Sequence, residues 1–178
     1  GNKLELNWGA PNPAVLYNAA YNGFNAVRVP CAWGKNSTTN VSGGVTNYPI
    51  NASYMAQVKQ TVDAAVAAGM YVMINDHADN DWLESSITTN LDATINAKMK
   101  DYWTQIATAF AGYDNHLLFA ACNEPNVNNP AEMGTLMFYY QTFVNAVRAV
   151  GGNNTNRWLV LQGGGDTTWL NSLPTDTV

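Results

Sequence analysis

Four apolar runs of strand length recur about 45 residues apart, at positions 25–30, 70–75, 117–123 and 158–162, and a helical pattern fills each interval between them. The spacing rules out a chain of hairpins. Strands that alternate with helices of this length pair as parallel neighbours through βαβ crossovers. The run 70–75 is apolar almost throughout, which suits a parallel strand covered on both faces. The helix expected over 53–68 puts Met55, Val58, Val62, Ala65 and Val66 on one face and stops at Gly69. The helix over 92–111 takes Asp92 as its N-cap and turns Met99, Trp103, Ile106, Ala107 and Phe110 inward. A third, over 130–150, ends at Gly151-Gly152, and a short one over 13–22 starts on the Asn12 cap with Pro13 in its first turn.

Composition narrows the function. The chain has 178 residues, enough for one domain and too few for two ordinary ones. The net charge is −5, only 12% of residues are charged, and asparagine is frequent, so the polar surface is built from amides. Eight Lys and Arg, never clustered, give nucleic acid no footprint. No run of 18 apolar residues occurs, so no membrane span is expected. No GxGxxG or P-loop follows a strand, and 163–165, all glycine, reads as a tight turn, so no nucleotide cofactor is expected. Cys31 and Cys122 form no metal motif; they read as buried apolar residues, with a disulfide also open. No signal peptide is visible at Gly1, as expected of a trimmed mature chain.

The longer connections follow the strands, so the functional loops lie at the C-terminal ends of the strands. Residues at those ends form one set: Arg28 then Trp33; Asn75, Asp76, His77 and Asp79, then Trp82; Asn123 and Glu124; Gln162, then Asp166 and Trp169. In a parallel (β/α) barrel these tips converge on one mouth, where active sites are found. Glu124, between Asn123 and Pro125 at the tip of an apolar run, suits a general acid. Trp33, Trp82 and Trp169 suit stacking on flat ligands, and polar groups with Trp make a sugar-site composition. Arg28, inside an apolar strand, calls for a carboxylate or another fixed partner, whether functional or a structural salt bridge. His77 reads as a site residue or a satisfied core histidine, and Trp82 as a ligand wall or the cover of a helix end. Tyr139 and Tyr140, in mid-helix, read as packing.

The segments 23–30, 70–77, 81–84 and 117–126, with 143–148 followed by 151–154, resemble glycoside hydrolase family 5 from end to end of this chain. That is the large cellulase and endoglucanase family of (β/α)₈ barrels, and the resemblance is to its N-terminal and central part. It implies an α/β fold of parallel barrel type over 1–178, holding about four to five of eight β/α units, and a hydrolase cleaving β-1,4-glucan outside the bacterial cell without cofactor or metal. It implies Glu124 as acid/base of a retaining mechanism, and Asn123 bonding the sugar 2-hydroxyl and the nucleophile. Arg28 would keep the nucleophile ionised and His77 would line the cleavage subsite. Trp33, Asp79 and Trp82 stand as substrate-binding candidates, Asp79 matching a family aspartate that is not the nucleophile.

Two departures from the family stand out. Ala78 follows His77 where the family usually has His or Trp, and Val178 precedes the region of the family's sixth to eighth strands, with the nucleophile on the seventh. A retaining glycosidase needs a second carboxyl about 5–5.5 Å from the first, so the nucleophile is expected from outside this chain or is missing. An open run of four strands leaves bare edges and an uncovered apolar wall. The expected partner is a second copy or a complementing C-terminal half, alongside β-glucan as ligand. The alternatives are a non-catalytic carbohydrate-binding unit and a half-barrel fragment whose only event is self-assembly.

Overall fold

The computed structural model of the chain describes residues 12–77, 79, 82–164 and 173–176. Helix α1 (Pro13–Tyr21) leads into strand β1 (Ala26–Cys31), followed by a 3₁₀ turn at Gly34–Asn36 and a small hairpin of β2 (Asn40–Ser42) and β3 (Val45–Asn47). Then come α2 (Ala52–Ala67), β4 (Tyr71–Asp76), α3 (Ala93–Ala109), β5 (Leu117–Ala120), α4 (Pro130–Val150), a second 3₁₀ turn at Gly152–Thr155 and β6 (Leu159–Val160). The sheet order is β1-β4-β5-β6, every pair parallel. This is the expected α/β architecture.

Among the described residues, each of the four α-helices begins on an Asx cap. The side chains of Asn12, Asn51, Asp92 and Asn129 accept from backbone N–H groups of Ala14, Ser53, Thr94 and Ala131 respectively. Such a cap is worth about 1 kcal/mol over alanine, and it accounts for part of the asparagine content. The faces expected to turn inward do so: Met99, Trp103, Ile106, Ala107 and Phe110 of the α3 segment are buried, as are Val58, Val62 and Ala65 of α2.

In the parallel register Val72 faces Leu117, Ile74 faces Phe119, and Phe119 faces Leu159. Residues level with one another share a face of the sheet. Val72, Ile74, Leu117 and Phe119 lie under the helices, where the Trp103 ring packs at a tilt 5.5 Å from Phe119 and edge to face 4.6 Å from Phe143. The opposite face carries Arg28, Met73 and Leu118 at one level and Asn75 and Ala120 at the next. Tyr71, on that face, is 50% exposed, and Trp158, at the start of β6, is 68% exposed. Among the described residues β1 and β6 each pair on one side only.

The N-terminal end of the sheet is closed by Arg157, a fully buried cation whose partners are mostly backbone oxygens. Its guanidinium donates to the carbonyls of Phe110, Tyr113, Asp114 and Leu117 and to Asn154 Oδ1, and it lies 4.7 Å from the Phe119 ring centre. It joins the end of α3, the turn into β5 and the approach to β6.

The hairpin lies inside a segment expected to be loop. Ser42-Gly43-Gly44-Val45 turns with φ of +58° and +78° at its two glycines, the pair of positive values that a two-residue type I′ hairpin requires. The third and fourth strands are shorter than expected, ending at Ala120 and Val160. Cys31 and Cys122 are both buried, and no disulfide joins them.

Candidate active site

The tips of β1, β4 and β5 meet through one guanidinium. Arg28 Nε donates to Asn75 Oδ1 at 3.1 Å, and Arg28 Nη2 donates to Asn123 Oδ1. Asn75 and Asn123 are themselves buried, and Asn75 Nδ2 donates onward to the Asp76 carbonyl at 2.9 Å. Strand alternation sets this up. Val27 and Val29 turn toward the helices, so Arg28 turns to the open face, level with Met73. The expected burial of Arg28 needs correcting, since its side chain is exposed; of the two kinds of partner expected, a carboxylate or another fixed group, the described residues supply the second, as amide oxygens.

Glu124 follows directly. It is exposed, while Asn123 before it and Pro125 after it are buried. Its backbone is left-handed, φ +40°, alone among the described non-glycine residues. A carboxyl on such a tip, beside a fixed amide, faces solvent and any ligand in the mouth. His77 is half-buried one residue beyond β4, its N–H donating to the Cys31 carbonyl at 2.7 Å. His77, Asn123 and Glu124 therefore stand past the C-terminal ends of adjacent strands, and Arg28 reaches that end from the middle of β1.

The three remaining candidates have been drawn inward. Trp33 is 0% exposed and meets Tyr54 edge to face at 5.6 Å; Trp82 is 4% exposed and meets Tyr102 in the same way at 5.4 Å. Neither ring offers a face to a flat ligand, which corrects the stacking role expected of them. Their burial has a local cause. Asp79, fully buried, accepts from Gly34 N at 2.6 Å and Lys35 N at 3.3 Å, and its own carbonyl accepts from Trp82 N at 3.1 Å. One residue thus caps the 3₁₀ turn after β1 with its carboxylate and starts the turn after β4 with its backbone carbonyl, folding both tryptophans under the loops. Asp79 is a loop fastener here and not an open ligand contact. Gly34 is needed for the same fit, since a Cβ there would stand 2.7 Å from Trp82 Cδ1.

Behind the tips sit groups that stay neutral. Burial, with the negative charges of Asp76 and Glu84 behind it, pushes the Cys122 thiol well above its ordinary range. Burial also raises the Tyr140 phenol, which donates to the Gln162 carbonyl at 2.6 Å. Tyr139 and Tyr140 are packing residues, as expected. Asn75 was named among the strand tips but not among the site residues; its signal was an amide closing an apolar strand. Ala78, Asp166 and Trp169 lie outside the described residues.

A family model described as cellulase (glycosyl hydrolase family 5) matches residues 1–176. Endoglucanase A of Paenibacillus barcinonensis is 35% identical over 176 residues, covering 92% of this chain and 42% of that protein. A xyloglucan-specific endo-β-1,4-glucanase of Bacteroides ovatus is 36% identical over 167 residues, covering 89% of this chain and 32% of that protein. Among solved structures, a GH5-4 broad specificity endoglucanase from Ruminococcus champanellensis with bound cellotriose superposes with a TM-score of 0.84 at 34% identity, over 99% of this chain and 54% of that one. The chain spans about half, or less, of the length of the proteins it matches.

Proposed function

The chain belongs to the cellulase family, glycosyl hydrolase family 5, and from that premise we propose that it supplies the acid/base half of a retaining glycoside hydrolase acting on β-1,4-glucan. The observation that carries the reading is Glu124, exposed at the tip of β5 beside an Asn123 that Arg28 holds by its oxygen. In the first step Glu124 gives its proton to the glycosidic oxygen as the bond from that oxygen to the anomeric carbon breaks. A second carboxylate, about 5–5.5 Å away, attacks the anomeric carbon and forms a glycosyl ester. In the second step Glu124 takes a proton from a water whose oxygen attacks the same carbon, and the second carboxylate leaves. With its oxygen engaged, Asn123 has its amide N–H groups for the sugar 2-hydroxyl and the nucleophile, and His77 borders the cleavage subsite.

The nucleophile comes from outside the described residues. Asp79 does not take that part, since its oxygens serve Gly34 and Lys35. The open edges of β1 and β6 and the exposed Tyr71 and Trp158 support closure of the sheet by further strands, from the same polypeptide or from a partner chain. A polymeric glucan is met outside the cell, which is where we place the activity.

The deciding experiment is Glu124→Gln assayed on soluble β-1,4-glucan. Loss of the proton donor lowers turnover by about 10²-fold or more, with the circular dichroism spectrum unchanged. Undiminished hydrolysis of unactivated glucan refutes the assignment.

A further inference from the structure

The left-handed backbone at Glu124 needs a cause. The residue before a proline is already restricted, and a non-glycine residue at positive φ persists only where its surroundings over-determine it. Two hydrogen bonds contribute. Asn126 N donates to the Glu84 carbonyl at 2.9 Å, tying the turn to the loop after β4, and Val127 N donates to the Pro125 carbonyl at 3.0 Å, closing a three-residue turn.

The third constraint comes from the far side, beyond β6. A Cβ on Gly164 would stand 2.4 Å from Val127 Cγ2, 3.2 Å from the Val127 carbonyl oxygen and 3.3 Å from Met133 Cε. Gly164 is not among the glycines with positive φ, so its backbone does not demand glycine; what it supplies is room. The segment cannot simply back away, because two residues earlier the Gln162 carbonyl is bonded to the buried Tyr140 hydroxyl. Val127 is β-branched and stiff about χ1, and Pro125 stiffens the turn on its other side. A push at Val127 therefore travels to Glu124.

We infer that Gly164 is a positioning residue for the general acid: its bare Cα seats Val127, and that seat fixes the 124–127 turn and the left-handed backbone that aims the Glu124 carboxyl. The inference rests on Glu124 being the acid/base.

The test compares Gly164→Ala, Val127→Ala and the double variant in the full-length polypeptide. Displacement of a catalytic group by about 1 Å costs about 10²-fold, so Gly164→Ala lowers kcat on unactivated glucan by about that factor with KM little changed. The first-turnover burst with dinitrophenyl β-cellobioside, whose leaving group needs no proton, is largely preserved. Val127→Ala removes the clashing methyl, so the double variant regains most of the lost kcat. Crystal structures supply a readout free of activity: the 124–127 turn shifts in Gly164→Ala and returns in the double variant. An unmoved turn, an unchanged kcat, or a loss shared equally by both substrates and not relieved by Val127→Ala overturns the inference. If Gly164→Ala does not fold, recovery of a folded double variant supports it and failure of both overturns it. A parent enzyme that cleaves no β-glucan defeats the functional reading, while the crystal structures still decide what Gly164 does to the turn.

Discussion

Arg28 reaches from β1 past β4 to Asn123, beyond the end of β5, and bonds Asn75 on the way. The planar fork of one guanidinium thus orients two amides from two other strands, a geometry that an ammonium group cannot reproduce. The sheet positions the three backbones, and Arg28 sets which way the side chains face.

Replacing it separates function from stability. Arg28→Lys should lower kcat/KM on β-1,4-glucan by about 10²-fold, the cost of loosening a catalytic geometry. Because Arg28 is exposed, the melting temperature should move by less than about 4 °C, the shift that roughly 1 kcal/mol produces in a domain of this size. A large fall in melting temperature with normal kinetics would show that the contact is only structural.

Asp79 and Gly34 should behave as one unit. Asp79→Ala strands two backbone donors that a buried carboxylate now serves, and urea denaturation should show a loss of about 2–3 kcal/mol. Gly34→Ala drives a Cβ against the Trp82 ring, an overpacking worth about 1–3 kcal/mol. The double variant should lose less than the sum, because both changes release the same turn. Strict additivity would mean that the two residues act separately.

Arg157→Met should be the most damaging of these substitutions. It removes the hydrogen bonds to four carbonyls and one amide oxygen; the Phe110 and Asp114 carbonyls keep a backbone donor, and each buried acceptor left unsatisfied costs about 1–3 kcal/mol. The expected loss by chemical denaturation exceeds about 3 kcal/mol. Activity per folded molecule should hold, since Arg157 lies at the opposite end of the strands from Glu124.

Alkaline pH should unfold the chain through its buried phenols. Burial pushes Tyr102 from 10.0 up to about 12, the negative charges of Asp79 and Asp76 adding to the effect and the Ser37 hydroxyl opposing it. Burial raises Tyr54 and Tyr140 in the same direction. Between those pH values the unfolded chain gives up the Tyr102 proton while the folded chain keeps it. Stability from this group is therefore complete below pH 10 and is lost as pH climbs toward about 12. Phenolate absorbance and ellipticity should change together in that window; phenolate forming early, with the fold intact, would contradict the burial.

The parts of the fold that sequence could show were those written in periodic side chains. Asp92 and the apolar stripe of α3 mark a helix without outside help, and the βαβ order follows from strand spacing. The hairpin escaped because its strands are three residues long, shorter than any alternation can register; the Gly43-Gly44 pair was its one signal. The burial of Trp33 and Trp82 has no periodic signal, because periodicity stops where a strand ends and the loops that fold them under are fastened by Asp79 across 45 residues. Arg28 was placed at the right tip and given the wrong surroundings, although alternation between Val27 and Val29 turns it away from the helices. Arg157 had no signature at all, because its partners are mostly backbone carbonyls, which every residue carries.

The hairpin between β1 and α2 has a bearing on how such a chain can change over time. Every residue of β2 and β3 is exposed, the turn needs only its two glycines, and none of the six residues belongs to the buried core. Mutations there meet no packing constraint, so drift in length and chemistry can accumulate at the rim of the mouth while the sheet beneath stays the same. Variation between descendants of this chain should concentrate in that hairpin, which makes it the natural place to begin a library aimed at altered glucan preference.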